Sequence, residues 1–368
     1  MNILYLLPYL EGGGTERHVL SLCKGLKERG HGIRVLAPRG ELASEFERAG
    51  IPLTFYKSLG ESPFSGARDL VQNLKYIYTH DNPDVIHVHA GTELLIVNWW
   101  VMRSIPALKR PSVIFTVHTY FSKTSSFDYF LAARCGNRLA KSVITVSHDD
   151  GERMVSSGLY KDKLRVILNG VPSPPSLNDS EKKKFRGEWN ILDNAVLLSS
   201  VGRLEEQKGY DLLIPAFASA CKSHNELYLI VFGEGSQRDR LESLSTKLNI
   251  NHRLRLPGFI SDAPTKIQAT DIFISSSRLE GLSLALVEAM AAGLPIIATD
   301  AGGNREAVGL NYPYVIPIED EFKLAESIDK LVSDSNAIKE LGMTLKERFN
   351  REFTEDAMVE KTLQVYSE

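Results

Sequence analysis

Four charged residues in the second half of the chain have the types and spacing to bind a phosphorylated ligand that carries hydroxyl groups. Arg203 and Lys208 follow an apolar run, and Glu280 and Glu288 are separated by seven residues. An arginine fork and a lysine ammonium together suit a diphosphate. Carboxylates accept hydrogen bonds from hydroxyl groups. The alternatives are a solvated charged loop around Arg203 and a structural ion pair for Glu288.

A predicted helix from Leu284 to Ala292 carries the second glutamate. The run is almost wholly apolar and is stopped by Gly293 and Pro295. We therefore expect the helix to be buried, so that Glu288 needs a partner there. Free N–H groups at the helix start attract phosphate. A helix N-terminus that can bind phosphate, flanked by two glutamates that can accept from hydroxyl groups, predicts a nucleotide-sugar site.

Glycines mark several predicted strand ends where a ligand can approach the backbone. Gly12-Gly13-Gly14 follows the first strand and opens the first helix, without a G-x-G-x-x-G or G-K-[ST] pattern. Gly202 and Gly233 end two strands of the second half. Such glycines allow close approach of a phosphate, and the alternative for each is an ordinary turn.

Three histidines lie at strands of the first half. His118 ends a predicted strand, where it can hydrogen-bond a sugar hydroxyl or a developing charge. A structural role is the alternative for His118. His87 and His89 alternate on one strand, and no third ligand has metal spacing near them. We interpret both as packing or supporting residues and not as metal ligands.

The elements that position these residues form two α/β repeats. Short aliphatic runs, such as Asn2–Leu7, Val85–His89 and Ile272–Ser275, alternate with helical patterns, such as Glu16–Arg29. Residues 321–368 are predicted to be entirely helical. This alternation predicts two doubly wound, Rossmann-like domains, with the ligand site between the carboxyl ends of the two sheets. The predicted segments are 1–172 on the acceptor side, 173–350 for the nucleotide-sugar, and a terminal helix 351–368 that returns to the first domain. A segment rich in turn formers, Asn169–Ser176, is the predicted hinge.

Composition excludes several classes of protein. The 368 residues are 43% hydrophobic and 24% charged, and the three cysteines are scattered, which favours a soluble chain in a reducing compartment. No apolar stretch is long enough to cross a membrane, and the amino-terminal run lacks the basic and small residues of a signal peptide. We expect a cytoplasmic protein with no nucleic-acid partner.

The net charge of −3 is unevenly distributed. It is +5 over residues 1–170 and −8 over the remainder. A basic first half predicts contact with an anionic acceptor or the inner face of the cell membrane; chance is the alternative. The segment Leu94–Arg110, with Trp99, Trp100, Arg103 and Lys109, reads as an interfacial patch for a lipid-linked acceptor, or else as a buried helix with a charged end.

These segments together resemble the retaining glycosyltransferases of family four, which have the GT-B fold. The resemblance spans nearly the whole chain. The matching segments are Gly13-Gly14-Thr15-Glu16-Arg17, Gly30-His31, Pro83-Asp84-Val85-Ile86-His87, Val117-His118, Val146-Ser147, Asn169-Gly170-Val171, Val201-Gly202-Arg203, Lys208-Gly209 and the pair Glu280 and Glu288.

The resemblance implies the catalytic roles. Arg203 and Lys208 would hold the donor diphosphate and stabilise the leaving group. Glu280 would accept hydrogen bonds from the sugar hydroxyls, Glu288 would bind the ribose, and His118 would contact the sugar.

The resemblance also implies main-chain donor contacts and a metal-independent reaction without a cofactor, in agreement with the lack of a D-x-D motif near the expected donor site. The further donor-binding positions are Gly13, Gly14, Gly202, Gly233, Gly258, Phe259, Ile260, Gly281, Leu282, Ser283 and Leu284. Many members have Phe-Gly where this chain has Leu282-Ser283, so the Ser283 side chain is expected to narrow the pocket.

The predicted function is transfer of a hexose-type sugar from a nucleotide diphosphate sugar, UDP before GDP, to a glycan or lipid-linked hydroxyl. No carboxylate stands out as a nucleophile at the strand ends of the first domain, which favours a front-face route assisted by the departing phosphate. A sugar-nucleotide epimerase and a non-catalytic nucleotide-sugar binder are the alternatives; a pyridoxal-phosphate phosphorylase does not suit the length.

Overall fold

The computed structural model describes residues 1–105, 110–120 and 125–368. The chain forms two compact units, one of residues 1–170 with 355–368 and one of residues 171–354. The second division follows Thr354 because the penultimate helix continues to Glu352 and the last helix begins at Glu355.

Unit 1 is built on a seven-stranded parallel sheet, with the strand order β3-β2-β1-β4-β5-β6-β7. Its strands are β1 (Asn2–Leu6), β2 (Gly32–Ala37), β3 (Leu53–Phe55), β4 (Val85–His89), β5 (Ser112–Val117), β6 (Ser142–Thr145) and β7 (Leu164–Val166). Its helices up to the hinge are α1 (Gly14–Glu28), α2 (Ala43–Arg48), α3 (Pro63–His80), α4 (Thr92–Ser104), α5 (Ser125–Leu139) and α6 (His148–Ser156).

The central strands of this sheet were predictable because both of their faces are covered by helices. Every residue of β4 and β6 is buried, as expected of a parallel sheet, and such strands read as continuous apolar runs. β3 and β7 are the two edge strands, only three residues long and half-buried throughout. They lack that signal and were not predicted.

Unit 2 repeats the plan with a six-stranded parallel sheet of order β10-β9-β8-β11-β12-β13. Its strands are β8 (Val196–Val201), β9 (Leu227–Phe232), β10 (Leu254–Gly258), β11 (Ile272–Ser275), β12 (Ile296–Thr299) and β13 (Val315–Ile316). Its helices are α7 (Asp179–Glu188), α8 (Tyr210–Ala220), α9 (Arg238–Lys247), α10 (Ala263–Lys266), α11 (Leu284–Ala292), α12 (Asn304–Val308), α13 (Glu321–Val332) and α14 (Ser335–Glu352).

The last helix, α15 (Glu355–Ser367), belongs to unit 1 and packs on α1. Met358 and Val359 lie in the same apolar core as β1 and α1. The hydroxyl of Tyr366 lies 2.8 Å from that of Tyr5 on β1. Buried aromatic and aliphatic side chains thus fix the chain end to the first sheet.

Candidate functional site

The predicted charged residues of unit 2 lie at the point where its strand order reverses. β8 and β11 are neighbours in the sheet, and their connections run in opposite directions. The carboxyl ends of two such strands open a crevice, which is the usual ligand site of a doubly wound sheet. Arg203 and Lys208 follow β8, and Glu280 follows β11. The structure thus brings Glu280 to the same edge as Arg203 and Lys208, although it lies 72 positions after Lys208 in the sequence.

Lys208 and Glu280 form a largely buried ion pair. The Lys208 ammonium donates to Glu280 Oε1 over 2.6 Å, and the two side chains are 18% and 7% exposed. The Ser277 hydroxyl donates to the same oxygen over 2.6 Å. The sequence predicted both charged residues as donor ligands but did not predict their contact. Arg203 is exposed in the same loop.

Glu288 is half-buried, so the prediction of a fully buried carboxylate was wrong. Helix α11 buries Leu286, Val287 and Met290, whereas Leu284 and Glu288 share a more open face, four residues apart. The apolar composition of the helix hid this asymmetry. The buried glutamate of the pair is Glu280.

The start of α11 is capped by the side chain of its N-cap residue. Ser283 is the N-cap residue, and its hydroxyl accepts a hydrogen bond from the N–H of Leu286 over 3.4 Å. Ser283 and Leu282 are buried, and the carbonyl of Gly281 accepts from the N–H of Gly303 over 2.6 Å. The serine hydroxyl is therefore engaged by the helix itself.

The glycines predicted at the strand ends bring three loops together. Gly233 N–H donates to the carbonyl of Gly258, and Gly202 N–H to that of Phe232, each over 2.9 Å. Gly233 has φ +148, and a Cβ there would lie 1.9 Å from the Gly202 oxygen. Only glycine fits this approach. Beyond β10, Phe259 is 62% exposed, and Ile260 is half-buried.

In unit 1, the glycine loop and His118 lie beside the corresponding reversal between β1 and β4. Helix α1 begins at Gly14 with Gly13 as its N-cap, two residues earlier than predicted. Gly13 offers no side chain to the cap, so N–H groups of the first turn have no cap acceptor there. His118 follows β5 directly and is half-buried.

Three histidines meet at this edge, contrary to the expectation that no third one would approach. Ring nitrogens of His18, His89 and His118 lie within 4.8 Å of one another, an arrangement that could hold a metal ion. Nδ1 of His89 is 3.2 Å from Nε2 of His118, which also suits a hydrogen bond between neutral rings. Sequence spacing missed His18 because it lies on α1, whereas His89 and His118 lie at the ends of β4 and β5.

Burial keeps these imidazoles neutral. It lowers the pKa of His18 to about 4 and the pKa values of His89 and His118 well below their usual range. The His87 ring lies 4.0 Å from the His89 ring, but both of its nitrogens are engaged, 2.6 Å from the Tyr366 hydroxyl and 2.6 Å from the Thr116 hydroxyl. The interpretation of His87 and His89 as packing or supporting residues stays a prediction.

Two buried carboxyl groups at the strand ends of unit 1 were not singled out by sequence reasoning. Glu16 is 1% exposed in the first turn of α1, and burial raises its pKa to about 7. Asp150 accepts hydrogen bonds from the hydroxyls of Thr119 and Tyr129 and is also 1% exposed. An acidic residue three positions after the N-cap, Gly13 for Glu16 and Ser147 for Asp150, was the available signal for both.

A cleft of about 360 Å³ opens beyond the carboxyl ends of β1, β2 and β3. Its lining combines aromatic and charged side chains. The guanidinium of Arg39 stacks over the ring of Phe55 at 4.2 Å. The lining includes Tyr9, Glu11, Arg39, Phe55, Lys57 and Glu61.

The predicted interfacial segment is in part an exposed helix face. On α4, Leu94, Leu95 and Val101 are buried, whereas Trp100 is 66% exposed. The Arg103 guanidinium lies 4.9 Å from the Trp99 ring. Lys109, also named in that prediction, lies outside the described residues.

Helix α5 contacts α4 and presents a stripe of Phe127, Phe130, Arg134 and Arg138, all exposed. Within residues 1–105, 110–120 and 125–368, no helix has the length and apolar character needed to cross a bilayer.

Comparisons with known proteins agree on one family. Residues 12–173 match the family model described as Glycosyltransferase Family 4, and residues 181–348 match Glycosyl transferases group 1. EpsD of Bacillus subtilis is 31% identical over 94% of this chain and 91% of its own length. The lipopolysaccharide core biosynthesis glycosyltransferase LpsE of Rhizobium meliloti is 24% identical over 96% and 95%.

Among solved structures, HepE of Anabaena in complex with UDP superposes with a TM-score of 0.86 at 22% identity, over the full length of both chains. This likeness shows a shared GT-B fold.

Proposed function

Because the chain belongs to glycosyltransferase family four, we propose that it transfers a hexose-type sugar from a UDP-sugar to a glycan or glycolipid hydroxyl, with retention of the anomeric configuration. The observation that carries this proposal is the Lys208–Glu280 pair at the strand reversal of unit 2. It places a cation for phosphate beside a buried acceptor for sugar hydroxyls.

Donor binding is assigned to the loops of unit 2. Arg203 and Lys208 neutralise the diphosphate, and the open face of α11 presents Glu288 to the ribose. The backbone around Gly258 and Phe259 receives the base. The UDP complex of HepE favours uridine over guanosine, with GDP as the next choice.

The proposed reaction proceeds on one face of the sugar. The acceptor oxygen forms a bond to the anomeric carbon as the bond from that carbon to the β-phosphate oxygen breaks. The acceptor proton passes to the departing phosphate, and Arg203 and Lys208 bear its negative charge. His118 contacts the sugar as a neutral hydrogen-bonding group. A covalent sugar trapped on Glu16 or Asp150 would contradict this route.

We assign no metal or other cofactor to the donor reaction. The positive charges of Arg203 and Lys208 support this assignment, since an arginine and a lysine in one loop can balance a diphosphate without a divalent ion. Full turnover in excess chelator, with the wild-type protein, tests this part. A rate that falls in chelator and returns with one divalent ion would contradict it.

The cleft of unit 1 is proposed for the acceptor. Sugar rings pack on aromatic faces, and Tyr9 and Phe55 supply these. The carboxylates of Glu11 and Glu61 can accept from hydroxyl groups, while Arg39 and Lys57 can meet a phosphate or carboxylate of the acceptor. LpsE acts in lipopolysaccharide core synthesis by name, which supports a cell-surface glycan or glycolipid as the product.

We further propose a cytoplasmic protein that contacts the inner face of the cell membrane through α4 and α5. Trp100, Phe127 and Phe130 would enter the interface, with Arg134 and Arg138 facing anionic headgroups. Sedimentation with anionic liposomes tests the contact. Trp99→Ala/Trp100→Ala should weaken it without unfolding the chain, while Phe322→Ala, an aromatic that is 87% exposed on α13 of unit 2, should not. Equal sedimentation of all three proteins would count against the contact.

The donor is tested by thermal shift with UDP, GDP, ADP and the matching sugars, because a ligand that binds the native state raises its stability. We expect UDP compounds to give the largest shift. Glu288→Ala should lose most of that shift, whereas Glu347→Ala, on the exposed side of α14, should keep it.

The proposal fails if no nucleotide stabilises the wild-type protein, or if Glu288→Ala and Glu347→Ala respond alike. Incubation of the protein with the donor alone separates transfer from epimerisation, which would convert the sugar without an acceptor.

A further inference from the structure

The turn that carries Lys208 is held against the segment that carries Glu280 by hydrogen bonds in both directions. The turn comprises residues 206–208, and the facing segment comprises residues 276–279. The Ser276 hydroxyl donates to the carbonyl of Lys208 over 2.9 Å. The side-chain amide of Gln207 donates to the carbonyl of Leu279 over 2.9 Å. The two segments are therefore joined by a hydrogen bond donated from each side.

Arg278 supplies two further links between these segments. Its backbone N–H donates to the carbonyl of Gln207 over 2.8 Å. Its guanidinium Nη1 donates to the carbonyl of Glu206 over 2.6 Å. Arg278 lies after β11 and two residues before Glu280. It therefore bonds the turn that carries Lys208 from the segment that leads to Glu280, the ion-pair partner of Lys208.

The guanidinium is itself anchored by two carboxylates. Nη1 and Nη2 bond the two oxygens of Asp211 over 2.7 and 3.1 Å, and Nε bonds Glu319. Asp211 lies in the first turn of α8. Glu319 has φ +65, which is unfavourable for a residue other than glycine, so its contact with Arg278 helps to hold that conformation.

The turn has little freedom to shift on its own. Gly209 follows Lys208 at φ +65, and a Cβ there would lie 2.1 Å from the Ser276 oxygen. Backbone therefore packs directly on backbone next to the lysine. The Arg278 guanidinium links the carbonyl of Glu206, at the start of this turn, to Asp211. Loss of that link leaves residues 206–208 and the Lys208 side chain, rather than the close-packed backbone at Gly209, to adjust.

We propose that Arg278 is a positioning residue that sets the Lys208 ammonium at its place beside Glu280. The inference rests on the proposed function of that pair and adds a residue that does not itself touch the donor. Arginine is required because its planar fork spans two carboxylates and a carbonyl at once. Lysine keeps the charge but offers a single point of attachment.

The test compares Arg278→Lys with Arg305→Lys. Arg305 forms a similar two-point pair with Asp300 in the same unit, over 2.9 and 2.8 Å, away from the Lys208 turn. We measure melting temperature, steady-state release of UDP from UDP-glucose, and affinity for UDP and for uridine.

For Arg278→Lys we expect kcat to fall by roughly 10- to 100-fold, since small misplacements of a catalytic group have effects of that order. Affinity for UDP should fall while that for uridine is kept. Arg305→Lys should retain kcat, KM and both affinities within about twofold. A kcat for Arg278→Lys within twofold of wild type would overturn the proposal.

A second variant and a readout independent of activity keep the test decisive. Asp211→Asn leaves Arg278 in place but weakens its anchor, and it should lower kcat less than Arg278→Lys does. Amide hydrogen exchange of residues 206–210 should be faster in Arg278→Lys than in Arg305→Lys. If exchange is equal, the positioning role is wrong. If exchange differs but the wild-type protein neither binds UDP nor releases it from UDP-glucose, the proposed donor is wrong.

Discussion

Replacing Glu280 by glutamine separates the charge of the Lys208–Glu280 pair from its shape. The two side chains are 18% and 7% exposed, with 2.6 Å between the ammonium nitrogen and Oε1. Removing one partner of a buried pair costs about 3–5 kcal/mol. Glutamine still offers an oxygen, and Lys208 keeps some contact with water. We therefore expect the free energy of unfolding to fall by about 2 kcal/mol, the scale of one hydrogen bond to a charged group.

That loss is large enough to measure in unit 2, which spans residues 171–354. For a domain of this size each kcal/mol shifts the melting temperature by about 2–4 °C. Glu280→Gln should thus melt about 4–8 °C below wild type in scanning calorimetry.

The ligand response distinguishes the proposed site from a purely structural pair. A bound diphosphate can replace the missing carboxylate as the partner of Lys208. UDP should therefore raise the melting temperature of Glu280→Gln by more than it raises that of wild type. The rate of sugar transfer should nevertheless fall, because the side chain at position 280, which accepts hydrogen bonds from the sugar hydroxyls, has lost its charge.

The matched control is Glu206→Gln, an exposed glutamate two residues before Lys208. It should melt within about 1 °C of wild type, as surface substitutions usually do. The expectation is refuted if Glu280→Gln has the same melting temperature as Glu206→Gln and if UDP raises its melting temperature by the same amount as that of wild type.

Three further outcomes follow from single positions. Gly202→Ala should lower UDP affinity roughly tenfold in calorimetry, because its Cβ would lie 2.9 Å from the Tyr210 hydroxyl and 3.1 Å from Lys208 Cε, so that both side chains must shift; unchanged affinity would contradict the placement of Lys208. Burial raises the pKa of Glu16 from 4.5 to about 7. Between these two pH values the folded state keeps the proton that the unfolded state has lost. The free energy of unfolding should therefore fall by about 3 kcal/mol as the pH rises from 4.5 to 7. Glu16→Gln should exceed wild type in urea unfolding at pH 8 and match it below pH 4.5, and parallel pH profiles would refute this. Ser283→Ala should cost about 1 kcal/mol of stability as a lost N-cap and Ser283→Gly a few tenths; equal losses would show that the cap does not contribute.

Much of the fold could be read from the sequence because the signals are local. Buried parallel strands appear as aliphatic runs, and the predicted strand Val85–His89 has the observed bounds of β4. The predicted helix Leu284–Ala292 agrees with α11, since glycine and proline end it. The order of strands and helices also placed Arg203 at a strand end, where the structure has it.

The terminal region shows the limit of this reading. Residues 321–368 were predicted as entirely helical, and the structure divides them into three helices, with Asp334 capping the second. A polar cap interrupts a helix without removing helical propensity on either side. The short edge strands β3 and β7 of unit 1 were not predicted for a related reason, because their half-buried residues lack a continuous apolar pattern.

The sequence by itself determined the two Rossmann-like repeats, the family and the residues that carry charge to the strand ends. Only the tertiary structure decided which of those residues meet. Lys208 and Glu280 are 72 positions apart, and their contact depends on β8 and β11 being neighbours. The contact of Arg278 with the Lys208 turn depends on the same pair of neighbouring strands. The approach of His18 to His89 depends instead on the strand order of unit 1, and the half-burial of Glu288 depends on the face of α11 that carries it. Periodicity along a chain reports what one element buries, but the strand order decides which elements share an edge.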